Sequence, residues 1–138
     1  MRNAKIVIFY IYLHAEPEGE YMFDKKQICL NGQFISGEKQ KFFSENRAFL
    51  YGDSVFETMF VCKGKIHFFN DHLDRLLRAM TVLNYEIPSV FTVFTDRLEE
   101  EIFSLIAKNK IYKSAAVRLT VFRNPGGLYT PETNEVSY

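Results

Sequence analysis

The chain has 138 residues, with 17 Lys+Arg against 17 Asp+Glu and 47% apolar residues, enough to fill one core. Zero formal net charge, with no basic run longer than Lys25-Lys26, excludes an electrostatic footprint for nucleic acid or an acidic membrane surface and leaves small-molecule chemistry as the default. Cys29 and Cys62 make no disulfide framework, His14, His67 and His72 share no metal-ligand spacing with them, and a reducing cytoplasm is the expected setting.

Arg2 and Lys5 precede the apolar run Ile6 to Leu13, which imitates the start of a secretion signal but is too short to span a bilayer. Its β-branched and aromatic content suits a strand equally well, and a native start near Met22 is the preferred reading, with residues 1–21 as an extension. Asn31-Gly32, set between Ile28-Cys29-Leu30 and Phe34-Ile35, predicts a β-hairpin over Gln27 to Ile35. Lys39 to Asn46 is polar and loop-like, and Gly52-Asp53 makes a sharp turn into the alternating run Ser54 to Cys62. That run puts Val55, Glu57, Met59 and Val61 on one face and Phe56, Thr58, Phe60 and Cys62 on the other. Lys63-Gly64 turns it back into Lys65 to Phe69 as a second hairpin.

Asn70 is the expected N-cap of a helix over about Asp71 to Leu83, with Leu73, Leu76, Leu77 and Met80 at helical spacing. A second apolar stripe, Phe91, Phe94, Leu98, Ile102, Leu105 and Ile106, predicts a helix ending near Asn109, with Glu99, Glu100 and Glu101 as its solvated face. Ala115 to Arg123 alternates again as a strand, Pro125-Gly126-Gly127 breaks it, and Glu135 to Tyr138 begins another. The order of elements predicts an α+β fold, a small antiparallel sheet with two helices, and the close inside an alternating run suggests a piece of a longer chain.

Two motifs carry the chemistry. Asn-Arg-Ala-Phe-Leu-Tyr-Gly-Asp-Ser-Val-Phe-Glu-Thr at 46–58 and His-Leu-Asp-Arg-Leu at 72–76, with Lys-Gly-Lys between them, closely resemble the class IV aminotransferases, which include branched-chain and D-amino-acid aminotransferases and aminodeoxychorismate lyase. The resemblance extends over most of Gln27 to Tyr138. It implies that residues 22–138 are the N-terminal domain of an enzyme using pyridoxal 5'-phosphate, and that the lysine forming the internal aldimine lies beyond Tyr138. No residue of this chain is then catalytic, and the chain alone is expected to be inactive. Lys108, Lys110 and Lys113 cluster where cations complement a helix C-terminus and do not replace that lysine.

By the same resemblance Arg75 corresponds to the arginine that holds the cofactor phosphate, because a planar guanidinium matches phosphate oxygens bidentately. The plain alternative is a surface ion pair with Asp71 one turn away, and His72 is read as support for the helix start. Phe56 and Tyr51 match positions that line the substrate side of the pocket, although aromatics at such positions serve equally as core. Arg47 reads as an ion-pairing or backbone-capping group. D-amino-acid aminotransferases place an arginine and a histidine after the turn at 125–127, where this chain has Leu128 and Thr130. The implied reaction is transfer of an amino group from an amino acid to a 2-oxo acid, with pyruvate elimination from aminodeoxychorismate, or a non-catalytic interaction module, as alternatives. The family's subunits usually pair as homodimers, so the expected partners are an amino acid or keto acid and a second copy, with no nucleic acid and no membrane.

Overall fold

The computed structural model describes residues 9–12, 27–36 and 45–138. Strands β1 (Phe9–Tyr12), β4 (Ser54–Cys62), β5 (Lys65–Ile66), β6 (Ser114–Arg123) and β7 (Val136–Ser137) form one sheet in which every pairing is antiparallel. β6 is its spine: it pairs along its length with β4, and β1 and β7 take its other edge. The apolar run near the N-terminus thus contributes a strand, Phe9 opposite Leu119 and Tyr12 opposite Ala116, while the expected start near Met22 and most of the loop from Lys39 lie outside the described residues. β2 (Gln27–Leu30) and β3 (Gln33–Ser36) form a separate hairpin, turning through Asn31 and Gly32 at positive φ as that dipeptide requires.

Among the described residues three α-helices accompany the sheet: α1 (Arg47–Tyr51), α2 (Phe69–Val82) and α3 (Thr95–Lys108). The strand alternation sorts as expected. Met59, Val61, Val117, Leu119 and Val121 are buried against Leu73, Leu76 and Met80 of α2 and Leu98, Ile102 and Leu105 of α3, whereas Phe56 and Phe60 stand exposed on the opposite face. Each such aliphatic side chain contributes about 1.5–3 kcal/mol on burial. No helix among the described residues is long and apolar enough to cross a membrane.

Several boundaries differ from the sequence expectation. α1 adds a helix to the two expected, in a stretch to which the sequence assigned no element; at five residues it is too short to show periodicity, and it is held by its ends, Asn46 Oδ1 accepting from Ala48 N at 2.8 Å and Gly52 closing it at φ 66°. α2 begins at Phe69, with Phe68 at φ 55° as its N-cap, so Asn70 lies inside the helix and the second hairpin shrinks to the two residues of β5. Phe91 belongs to a 3-10 turn, Ser89–Phe91, rather than to the following helix.

Glu101 corrects a further expectation. It is only 7% exposed rather than solvated, because it falls on the stripe of Leu98, Ile102 and Leu105. Arg97 donates to its Oε1 at 3.1 Å, and burial pushes its carboxyl up from the ordinary range although hydrogen bonds from Arg97 and the Tyr138 hydroxyl oppose the rise. A raised folded-state value means that the native protein holds this proton more tightly than the unfolded chain, so the group stabilises the fold at low pH and costs stability as pH rises through that value. Glu101→Gln is therefore expected to stabilise the protein at neutral pH. Urea unfolding at pH 7 and pH 5 checks this, with the gain shrinking at the lower pH.

Candidate functional site

Strand β4 and helix α2 bring one cluster together. Glu57 sits on the helix-facing side of β4 among Val55, Met59 and Val61, and an acid on such a face needs a partner. Arg75, one turn after His72 on α2, supplies it as a fork: Nε to Oε1 at 3.0 Å and Nη2 to Oε2 at 2.9 Å. His72 Nδ1 stands 2.6 Å from the same Oε2 and 2.8 Å from Arg75 Nη2. One ring nitrogen cannot both donate to Glu57 and accept from Arg75, and the partners assign the hydrogen to Nδ1, pointing at the carboxylate.

Burial pushes the Glu57 carboxyl up, but the hydrogen bonds from Arg75 and His72 outweigh it and hold the group below the usual carboxylate range, ionised at neutral pH. The side chains of Glu57 and His72 are 15% and 13% exposed, whereas that of Arg75 is 55% exposed. Both Glu57 bonds fall on the Nε and Nη2 edge of the guanidinium, so the Nη1 nitrogen has no partner among the described residues. The result is a half-exposed cation of fixed orientation with one edge unpaired among the described residues. Arg75 does not pair with Asp71 by hydrogen bond, and His72 serves Glu57 rather than the helix start.

The expected substrate-side residues lie elsewhere. Phe56 points to the opposite face of the sheet from Glu57, 52% exposed, with the Arg118 guanidinium 3.6 Å from its ring centroid. Tyr51 closes α1, with the Arg47 guanidinium 4.7 Å from its ring and Tyr129 at 5.9 Å. Among the described residues no hydrogen bond or ring contact joins Arg75 to either aromatic.

A second polar cluster ties α1 to the glycine-rich segment between β6 and β7. Asp53 Oδ2 accepts from Arg47 Nε at 2.8 Å and from Arg123 Nε at 2.9 Å, and its Oδ1 accepts from Tyr85 Oη at 2.9 Å. Burial raises the Asp53 carboxyl, and the bonds from Arg47, Tyr85 and Arg123 overcome it, leaving it below the ordinary range. Arg47 fills both roles expected of it, as an ion pair with Asp53 and as donor to the Gly126, Gly127 and Leu128 carbonyls. Sequence reasoning did not single out Glu57, Arg123 or Tyr85. Glu57 alone had a visible signal, its place on the apolar side of an alternating strand.

The family model for amino-transferase class IV matches residues 54–138. The D-alanine aminotransferase of Staphylococcus aureus (strain N315) is 30% identical over 69 residues, 47% of this chain and 24% of the relative. Among solved structures, the T.th. branched-chain amino acid aminotransferase complexed with 4-methylvaleric acid is 27% identical with a TM-score of 0.68, covering 82% of this chain and 38% of that one. The Escherichia coli branched-chain enzyme, at 23% identity and a TM-score of 0.65, shares the fold over 82% of this chain and 39% of its own. The chain thus spans about a quarter of the curated relatives' length. With the alternating strand, the following helix and the glycine-rich segment all inside the matched region, the chain belongs to the class IV aminotransferase family.

Proposed function

We propose that this chain, with β1 as an edge strand of its sheet, supplies the N-terminal domain of an enzyme that uses pyridoxal 5'-phosphate to move an amino group from an amino acid to a 2-oxo acid, and that Arg75 binds the cofactor phosphate. The observation that carries the reading is the half-exposed guanidinium fixed by Glu57 with its Nη1 edge open. A phosphate dianion fits that edge, since the remaining N–H groups are donors in a rigid plane and the Glu57 side of the fork is already satisfied. Bound there, the cofactor would supply an electron sink for the substrate α-carbon.

This chain's own residues then anchor and orient. Glu57, kept ionised, prevents Arg75 from swinging between rotamers, and His72 Nδ1–H keeps the carboxylate turned toward the arginine. Phe56 and Tyr51 are proposed to line the substrate side, where exposed rings exclude water from an apolar side chain. The catalytic lysine is assigned to sequence outside this chain. The same reading has the subunits working as homodimers in the cytoplasm.

The test uses the full-length gene product. Purified with pyridoxal phosphate it is expected to be yellow and to transfer amino groups from an L- or D-amino acid to 2-oxoglutarate or pyruvate. A colourless protein with no transfer contradicts the reading. Pyruvate release from aminodeoxychorismate without any oxo acid points instead to the lyase.

A further inference from the structure

Two strands share one edge of β6. β7 takes its far end, with Val136 opposite Arg123 and Ser137 opposite Phe122, and β1 takes its near end, from Phe9 opposite Leu119 to Tyr12 opposite Ala116. Both run antiparallel to β6, so they point the same way and follow one another along a single line. Carried on in register, Tyr138 falls opposite Val121, the next residue opposite Thr120, and the one after that opposite Leu119, where Phe9 already stands. Each backbone N–H on that edge has one hydrogen to give, so two strands cannot pair with the same stretch at once. β1 therefore occupies the place that a continuation of β7 would take.

The end of β7 is aimed along that line. Ser137 is fully buried and its hydroxyl donates to Asn124 Oδ1 at 2.7 Å, while Asn124 N–H donates to Glu135 O at 2.9 Å. Asn31 holds the next residue: its N–H donates to Tyr138 O at 3.0 Å, and its Oδ1 accepts from Tyr138 N–H at 3.1 Å. With the Tyr138 ring edge-on to Phe91 at 5.0 Å, the register is fixed up to Tyr138.

A strand that goes on from Tyr138 starts beside Thr120 with no loop to close. β1 is joined to β2 through residues 13–26, and its pairing has to hold the ends of that loop together. The continuous strand carries the lower entropic cost and wins the edge. Without either strand, residues 116–119 would present a free row of N–H and C=O groups in a stretch that includes Val117 and Leu119, and such an apolar edge templates pairing with a second chain. Domains fold as units during synthesis, the N-terminal one first, so β1 and β6 exist before anything that follows Tyr138.

We propose that β1 is a displaceable guard: it covers residues 116–119 of β6 until the strand continuing β7 arrives, and then yields the edge to it. The inference rests on the aminotransferase reading above, in which the catalytic lysine lies past Tyr138.

Hydrogen exchange read by mass spectrometry compares the 138-residue chain with the full-length gene product, each as the parent and as a Tyr10→Pro/Ile11→Pro variant. Alternate residues of an antiparallel strand turn their N–H groups to the partner, so one of the two prolines removes a pairing hydrogen bond. In the 138-residue chain, amides 9–12 are expected to be protected, and the variant is expected to speed exchange at 116–119 roughly tenfold or more. In the full-length protein, amides 9–12 are expected to exchange as fast as an open terminus, and the variant to leave 116–119 within about twofold of the parent. If the variant of the shorter chain does not fold, the two parents decide. Protection of 9–12 in the full-length protein, or faster exchange at 116–119 in its variant, overturns the proposal, because β1 then keeps the edge. Rapid exchange of 9–12 in the shorter chain, or unchanged exchange at 116–119 in its folded variant, overturns it because β1 then never holds the edge. A reading frame that ends at Tyr138 overturns the functional reading and this proposal together. A full-length protein that releases β1 but binds no pyridoxal phosphate sinks the functional reading alone.

Discussion

Asp53→Ala is expected to destabilise the domain by about 3–5 kcal/mol, the cost of stripping the counter-ion from buried charges. Arg47 and Arg123 are 3% and 7% exposed in their side chains, both direct Nε at Asp53 Oδ2, and Tyr85 loses its acceptor at the same time. Water cannot readily replace the carboxylate there. Since domains of this size are stable by only about 5–15 kcal/mol, the change consumes a large share of the total. Chemical denaturation measures it, and a loss below about 1 kcal/mol would place Asp53 with ordinary surface ion pairs.

The pH dependence has a defined sign. The Asp53 carboxyl is depressed in the folded state, so its contribution is complete above the unfolded value of about 3.9 and is lost as pH falls through the lower folded value. Glu57 acts in the same direction. The acid limb of the stability profile is thus expected to be steep in the parent protein and shallower in Asp53→Ala.

Arg75→Ala has its large effect on cofactor binding rather than on folding. The Arg75 side chain is 55% exposed, and Glu57, 15% exposed, keeps His72 as a partner after the substitution, so the folding cost is the smaller of the two effects. A charge-assisted bond to phosphate contributes about 1.5–3 kcal/mol, so the dissociation constant of pyridoxal phosphate is expected to rise roughly 10-fold to 150-fold. Arg75→Lys is expected to recover only part of this, since one ammonium cannot hold both Glu57 and a phosphate. Equilibrium dialysis of the full-length protein reads both numbers. Tight binding in a folded Arg75→Ala protein would assign the phosphate to other groups.

The strands were legible wherever each side chain faced a different medium. Ser54 to Cys62 alternates between the helix layer and the open face, and the structure keeps both ends of that prediction. The helix starts were not, because a neighbouring turn set them: Phe68 is held at positive φ on leaving β5, a position where local preference argues for Asn70 as the cap. α1 was hidden by its length, although its cap residues Asn46 and Gly52 stood in plain view.

The site was legible in part for the same reason. Motif spacing picked out Arg75, and the alternation put Glu57 on the apolar side, but a pair separated by 18 residues becomes a fork only when α2 folds back on β4. The Arg47 cluster needed still more of the fold. Arg47 and the carbonyls at 126–128 are separated by about 80 positions, and nothing in the chain order announces that meeting. Glu101 was hidden in a run of three glutamates, and only its spacing from Leu98 and Leu105 marked it as inward-facing.

The claim that Arg75 grips the cofactor by its phosphate is tested most directly by a cycle of four affinities: pyridoxal phosphate and unphosphorylated pyridoxal, each bound to the parent protein and to Arg75→Ala. The account predicts that the parent strongly prefers the phosphorylated form and that the substitution removes most of that preference while barely changing the affinity for pyridoxal. Equal weakening for both ligands, with the preference intact, would contradict it.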